Sequence, residues 1–175
     1  MVSYYFQSRV TVAVVLFVVM SSVGGEECRS ASAKTSVTVL PTGDGLELAY
    51  GDGLPPSRHT IPLHRAGDIR YFSAGVGLEE READYPPFPL KLVFVVGGKP
   101  YLTHVAVSIT DESGSVKLAI PREQVIGPWL FVDLPSGTYQ ISAIWEGQTQ
   151  TNTAVKISAE RTHIVYLRWP EHPAH

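Results

Sequence analysis

The chain has 175 residues, a formal net charge of −3, 44% hydrophobic residues and one cysteine. Acidic residues outnumber basic ones by 17 to 14, and no basic stripe or polybasic block occurs, which argues against a nucleic-acid partner. A single cysteine excludes an intrachain disulfide, so a core of at least ~100 residues has to hold the fold by packing alone.

The N-terminal segment places Arg9 before an apolar run, 10–23, interrupted only by Thr11, Ser21 and Ser22. A membrane-spanning helix needs ~20 apolar residues, and this run is shorter. A positive charge, a short apolar stretch and then small residues read as a secretory signal peptide. Cleavage is expected after Ala33 in Ala31-Ser32-Ala33, with Gly25 as the alternative. Glu27 precedes Cys28, which argues against a lipidated cysteine. The mature chain is then expected to be periplasmic or secreted, with no stable membrane span after signal cleavage.

Residues 34–89 are read as an irregular extension with short strands and one short helix. Segments 36–40 and 46–50 are expected strands around the turn Pro41-Thr-Gly-Asp-Gly45. Gly51-Asp-Gly-Leu-Pro-Pro56 breaks regular structure, and 69–74 is a third expected strand. Leu78-Glu-Glu-Arg-Glu-Ala83 reads as a short helix with acids near its start, ended by Tyr85-Pro-Pro-Phe-Pro89.

Regular alternation begins at residue 90. Leu92, Phe94 and Val96 share one face of a strand at 91–96. Val105, Val107 and Ile109 share one face of 104–110, and Asp111-Glu-Ser-Gly114 is a hairpin turn with glycine at a positive-φ position. A shorter strand, 115–120, is expected at an edge. Leu130, Val132 and Leu134 align in 129–134. After Pro135-Ser136-Gly137, Tyr139, Ile141, Ala143 and Trp145 align in the next strand, and the turn is expected to need a positive φ at Gly137. A threonine-rich strand, 148–157, and a last strand, 162–169, close the series before Pro170. Seven strands over about eighty residues with turns between them indicate an all-β, seven-stranded antiparallel Ig-like or prealbumin-like β-sandwich over 90–170, leaving 171–175 as a tail. Phe94, Val107, Leu130, Val132, Ile141 and Leu167 are the expected core.

Gly127-Pro128-Trp129-Leu130, Leu134-Pro-Ser-Gly-Thr-Tyr139 and Trp145-Glu-Gly147 before the threonine-rich strand resemble the carboxypeptidase regulatory-like domain. That domain is a transthyretin-like (prealbumin-like) sandwich close to the Cna protein B-type modules. Gly75-Val-Gly77-Leu78-Glu79-Glu80-Arg81-Glu82 followed by Leu90-Lys-Leu-Val-Phe94 looks like small exported bacterial proteins that carry it. The resemblance covers roughly residues 75–169 and implies a non-catalytic module, often structural or adhesive outside the cytoplasm. A fold likeness does not by itself assign a function.

Candidate chemistry is sparse. His59, His64, His104, His163, His172 and His175 read as surface or turn residues, because no nucleophile elbow accompanies them. One enzyme of the transthyretin-like fold, the 5-hydroxyisourate hydrolase, ends in Tyr-Arg-Gly-Ser. Here the last strand reads Tyr166-Leu167-Arg168-Trp169, which argues against that activity. Glu171, His172 and His175 offer too few ligands for a strong metal site. Glu79, Glu80, Glu82 and Asp84 lack the spacing of a calcium loop. The isopeptide bond of Cna B-type modules would need Lys91 to meet Asn152, the chain's only asparagine, which sits on a strand face that reads as solvated. No catalytic, cofactor-binding or metal residue is assigned. The one assigned possible ligand contact is Trp129, whose parity with Phe131 and Asp133 places it opposite Leu130 and Val132, on a face that could stack a sugar; core or sheet-cover packing is the favoured reading of that face. The expected function is therefore an exported, non-catalytic binding or assembly protein of the cell envelope, with an envelope protein or a glycan as partner. The alternative is a carbohydrate- or small-ligand-binding module using exposed aromatics.

Overall fold

The computed structural model describes residues 36–40, 43–51, 55–97 and 99–171. The segment expected to direct export, with Cys28, and the tail histidines His172 and His175 lie outside the described residues. The described chain is all-β apart from one short helix and a single 3-10 turn. In order it runs β1 (Ser36–Val39), β2 (Gly45–Tyr50), β3 (Ser57–Pro62), β4 (His64–Ala66), β5 (Ile69–Ala74), α1 (Gly77–Glu82), β6 (Leu90–Val96) and β7 (Lys99–Tyr101). It continues through β8 (Ala106–Asp111), β9 (Val116–Ile120), the 3-10 turn Arg122–Gln124, β10 (Trp129–Val132), β11 (Gly137–Trp145), β12 (Gln148–Ile157) and β13 (His163–Trp169). Among the described residues no helix is long and apolar enough to cross a membrane.

The strands form three sheets. β1-β2-β3 is one, β13-β6-β10-β5-β4 with β7 on β6 is the second, and β12-β11-β8-β9 is the third. The seven strands expected from residue 90 onward all form, and they divide between the second and third sheets. Two expectations need correction. Not every pair is antiparallel: β13 runs parallel to β6, with His163 opposite Leu90 and Trp169 opposite Val96. The chain passes through the other sheet between these two strands, so no hairpin forces β13 to run opposite to β6. In addition, the second sheet continues across residue 89. β5, from the stretch read as an irregular extension, pairs with β10 from Ala74↔Trp129 to Tyr71↔Val132.

Period-two alternation gives the second sheet two buried faces. One carries Leu90, Leu92, Phe94, Leu130, Val132 and Leu167, which meet Val107, Ile109, Leu118 and Ile141 of the four-stranded sheet in a single apolar cluster. All six residues expected in the core lie there, none more than 3% exposed. The opposite face carries Phe72, Ala74 and Phe131, covered by Leu46, Leu48 and Ile61 of the three-stranded sheet and by Phe88. Phe72 stacks on Phe131 at 4.6 Å and meets Phe88 edge-on at 5.1 Å. Edge-on and offset contacts of this kind add to the area term.

Local chemistry sets the turns. Gly114 has φ +80°, as expected, and the Asp111 carboxylate accepts the backbone N–H groups of Ser113 and Ser115. Lys117 lies 2.8 Å from the same carboxylate, and its hydrogen bond, followed by that of the Ser113 hydroxyl, holds Asp111 well below the usual carboxylate range. The turn at Pro135-Ser136-Gly137 works differently from its expected form, because Gly137 is not in the left-handed region. Its glycine answers a steric need: a Cβ there would lie 3.3 Å from the Tyr139 ring, which folds back so that its hydroxyl donates to Pro135 O at 3.0 Å. A tyrosine that ties a strand start to the backbone four residues upstream is a corner device of β-sandwiches.

Candidate functional site

Trp129 opens β10 on the face shared with Phe131, and it is half-buried. That face is covered by the three-stranded sheet, so it is a second core surface and not an open platform. The Lys91 ammonium sits 3.4 Å from the Trp129 ring centroid and 5.1 Å from that of Phe131. Burial lowers the pKa of Lys91, and a cation over an indole face is an attractive pairing. On another side Gly75 is packed so closely that a Cβ would come within 2.9 Å of Trp129 Cδ2. A sugar stacking on this ring would have to displace Lys91.

The remaining sequence candidates are dispersed. His59 faces Glu80 at 3.4 Å, His64 stacks on Tyr71, His104 contacts Thr103 Oγ1, and His163 contacts Ser158. Glu80 caps the turn before α1, accepting from Gly75 N and Val76 N at 2.7 and 2.9 Å. Among the described residues no three His, Cys, Asp or Glu side chains group as a metal site would require. Lys91 points to the Trp129 side of its sheet, away from the four-stranded sheet that carries Asn152, so the two cannot condense. Asn152 is half-buried with Gln148 and Gln150, and the solvated row of β12 is instead Thr149, Thr151 and Thr153.

One grouping was not apparent in the sequence. His64, Ser73 and Glu123 line a small cleft of about 140 Å³ with Pro62, Gln124 and Ile126. Ser73 is the only buried polar side chain in the described core. Its hydroxyl donates to Gly127 O at 3.1 Å and accepts from Gly127 N at 2.8 Å. Both bonds tie β5 to the approach to β10, so the oxygen is committed to the backbone rather than poised for attack.

The least guarded surface is the β12 side of the four-stranded sheet. The turn Glu146-Gly147 has φ +46° and +77°, the two positive values of a type I′ hairpin. Trp145 and Gln148 therefore form a hydrogen-bonded pair, and by alternation so do Ala143–Gln150 and Ile141–Asn152. The N–H and C=O groups of Thr149 and Thr151 consequently face the open edge. From Gln148 to Val155 the strand has no charge and no proline. Three other edges are blunted, as edges of soluble sheets usually are: β9 bears Lys117 and ends at Pro121, β4 has three residues including Arg65, and β13 carries Arg168 over Tyr166 before Pro170; the uncharged edge strand β1 has only four residues. On β12 a bulge at Thr153 and Ala154, with Ala154 at φ +56°, and Lys156 come only after the open stretch.

The outer face beside this edge carries mostly small residues with Ile144 among them. Ala106, Ser108, Ala119, Pro121, Ser142 and Ile144 line a shallow apolar cleft of about 450 Å³. Ser142 Oγ lies 3.0 Å from Thr151 Oγ1, which joins the cleft to the threonine row. The signal for this surface was present in the sequence as Gln148-Thr-Gln-Thr-Asn-Thr153, but its position at an edge depends on strand order. No family model, no curated protein and no solved structure matches the chain.

Proposed function

We propose that the chain is an exported, non-catalytic protein of the cell envelope that works by binding another extended chain along the open edge of β12. Its seven regular strands, β6 and β8 to β13, are read as a prealbumin-like sandwich of the carboxypeptidase regulatory-like kind. The shared apolar cluster and the Tyr139–Pro135 corner support that reading. The observation that carries the function is an uncharged, proline-free edge whose Thr149 and Thr151 backbone groups face outward, next to an outer face of mostly small residues. Such an edge offers main-chain hydrogen bonds to an incoming strand, with side-chain fit supplying selectivity. The glycan reading has less support, since Lys91 already occupies the Trp129 face.

Two measurements test this. N-terminal sequencing of protein from a periplasmic fraction is expected to begin near Glu26 or Lys34. An intact Met1 in the membrane fraction would overturn export. A photoreactive side chain at Thr151 is expected to give a protein adduct in the envelope, whereas one at Ala119, on the guarded β9 edge, gives none. Equal labelling from the two positions, or none from Thr151, would overturn the edge as the binding surface.

A further inference from the structure

We infer that the strand received by β12 is β12 of a second copy of this chain, paired antiparallel through residues 149–153 about a twofold axis at Thr151. This rests on the edge reading above and specifies its occupant.

Three observations lead to it. The first is hydrogen-bond direction. An incoming antiparallel strand must present outward N–H and C=O groups opposite those of Thr149 and Thr151, and another β12 edge presents the same groups. Pairing about Thr151 sets Thr151 opposite its own symmetry mate as a hydrogen-bonded pair and Thr149 opposite Thr153, where the bulge begins. It also keeps side chains on matching faces. The exposed threonines meet threonines, and the half-buried Gln150 meets Asn152. Threonine pairs and amide pairs across strands are favourable neighbours.

The second observation is where the pairing stops. The bulge at Thr153 and Ala154 kinks the strand and ends regular pairing. The tight turn at Glu146-Gly147 ends it on the other side. An axis at Thr151 uses strand residues 149–153 and none of the turn. An axis at Gln150 would pair Thr149 with Thr151 and bring Gln148, beside the turn, opposite Asn152.

Charge is the third. The paired stretch has none, so self-pairing brings no like charges together, and it offers nothing to select a charged foreign strand. Beyond the stretch, the Thr151 axis brings Lys156 of one copy toward Glu146 of the other, twice by symmetry. Both side chains are exposed. The Gln150 axis would set Lys156 against the Ile144 end of the partner instead. Isologous pairing closes on itself, so the product is a dimer with one continuous eight-stranded sheet and not an open fibre. Five residues a side is a small contact, and the association is expected to be reversible and concentration-dependent.

Sedimentation velocity of the mature chain across a concentration series is expected to show a monomer–dimer equilibrium. Thr151→Lys places two like charges on the axis and is expected to weaken the dimer by about tenfold or more. The far-ultraviolet circular dichroism should stay unchanged, because Thr151 N–H does not bond to β11. Lys156→Glu is expected to weaken the dimer, and adding Glu146→Lys to restore it. With Cys28→Ser removing the native thiol, Thr151→Cys should be captured as a dimer by a short thiol crosslinker, whereas Gln140→Cys on the neighbouring strand should not. A protein that stays monomeric at every concentration overturns the inference. So does a dimer indifferent to Thr151→Lys and not captured through residue 151. A monomer whose Thr151 still labels a foreign envelope protein would overturn the second copy while leaving the edge reading intact. Loss of both results would remove both.

Discussion

Single atoms decide several positions. Gly127 shows the most extreme case: a Cβ would lie 2.3 Å from Ala74 O, closer than any side chain tolerates. That approach lets Ser73 exchange two hydrogen bonds with the N–H and C=O of one residue, Gly127. Gly137 is a milder case with a testable consequence. Gly137→Val must push the Tyr139 ring aside and is expected to destabilise by more than about 1 kcal/mol. Tyr139→Phe removes only the hydroxyl bond to Pro135 O and is expected to cost about 0.5–1.5 kcal/mol. If the ring position is what Gly137 protects, Gly137→Val made on top of Tyr139→Phe should cost less than the two separately. Strict additivity in denaturant midpoints would show that the glycine serves a different purpose.

At the scale of strands, alternation was the legible signal, and the residues it selected are buried. Phe94 in β6 is fully buried and Gln150 in β12 is half-buried at an edge. Phe94→Ala is expected to cost about 3–5 kcal/mol, and Gln150→Ala within about 0.5 kcal/mol. Similar losses from the two would contradict the strand phases described. Alternation could not reveal that β10 buries both of its faces. Leu130 and Val132 read as core, and covering of the Trp129–Phe131 side is the favoured reading, but no segment could be named as the cover. The covering layer comes from 36–62, where β3 is largely polar in sequence: Ser57, Arg58, His59 and Thr60 are exposed, and only Ile61 is buried.

At the scale of the molecule, the second sheet runs across residue 89, and residues 90–170 are not expected to fold alone. β10 lies between β6 and β5, and removing β5 leaves an open ladder beside Phe131. A chain beginning at residue 86 also loses Phe72 and the leucines of β2 that cover Phe131. It is expected to be unfolded or aggregated under conditions where the mature chain is monomeric or dimeric and folded. Circular dichroism and size-exclusion chromatography decide this. A cooperative, soluble 86–175 chain would restore the boundary at residue 89.

The sequence by itself determined seven of the eight described strands from residue 90 onward, the inward residues of β6, β8, β10 and β11, and the turn at Gly114. These depend on side-chain period and local backbone chemistry, which are written in consecutive residues. It also marked 148–157 as a threonine-rich strand, but it misread the solvated face of that strand, β12. The edge position of β9 was expected from the sequence, but tertiary structure alone decided that β12 lies at an edge, that β13 runs parallel to β6, and that Trp129 faces Lys91 instead of solvent. It also decided that the polar stretch before residue 70 supplies a third layer. Each of these depends on contacts between residues far apart in the chain. Their energy comes from burying a face against a partner that local pattern cannot name, so strand order, and with it the candidate binding edge, is a property of the assembled sheets.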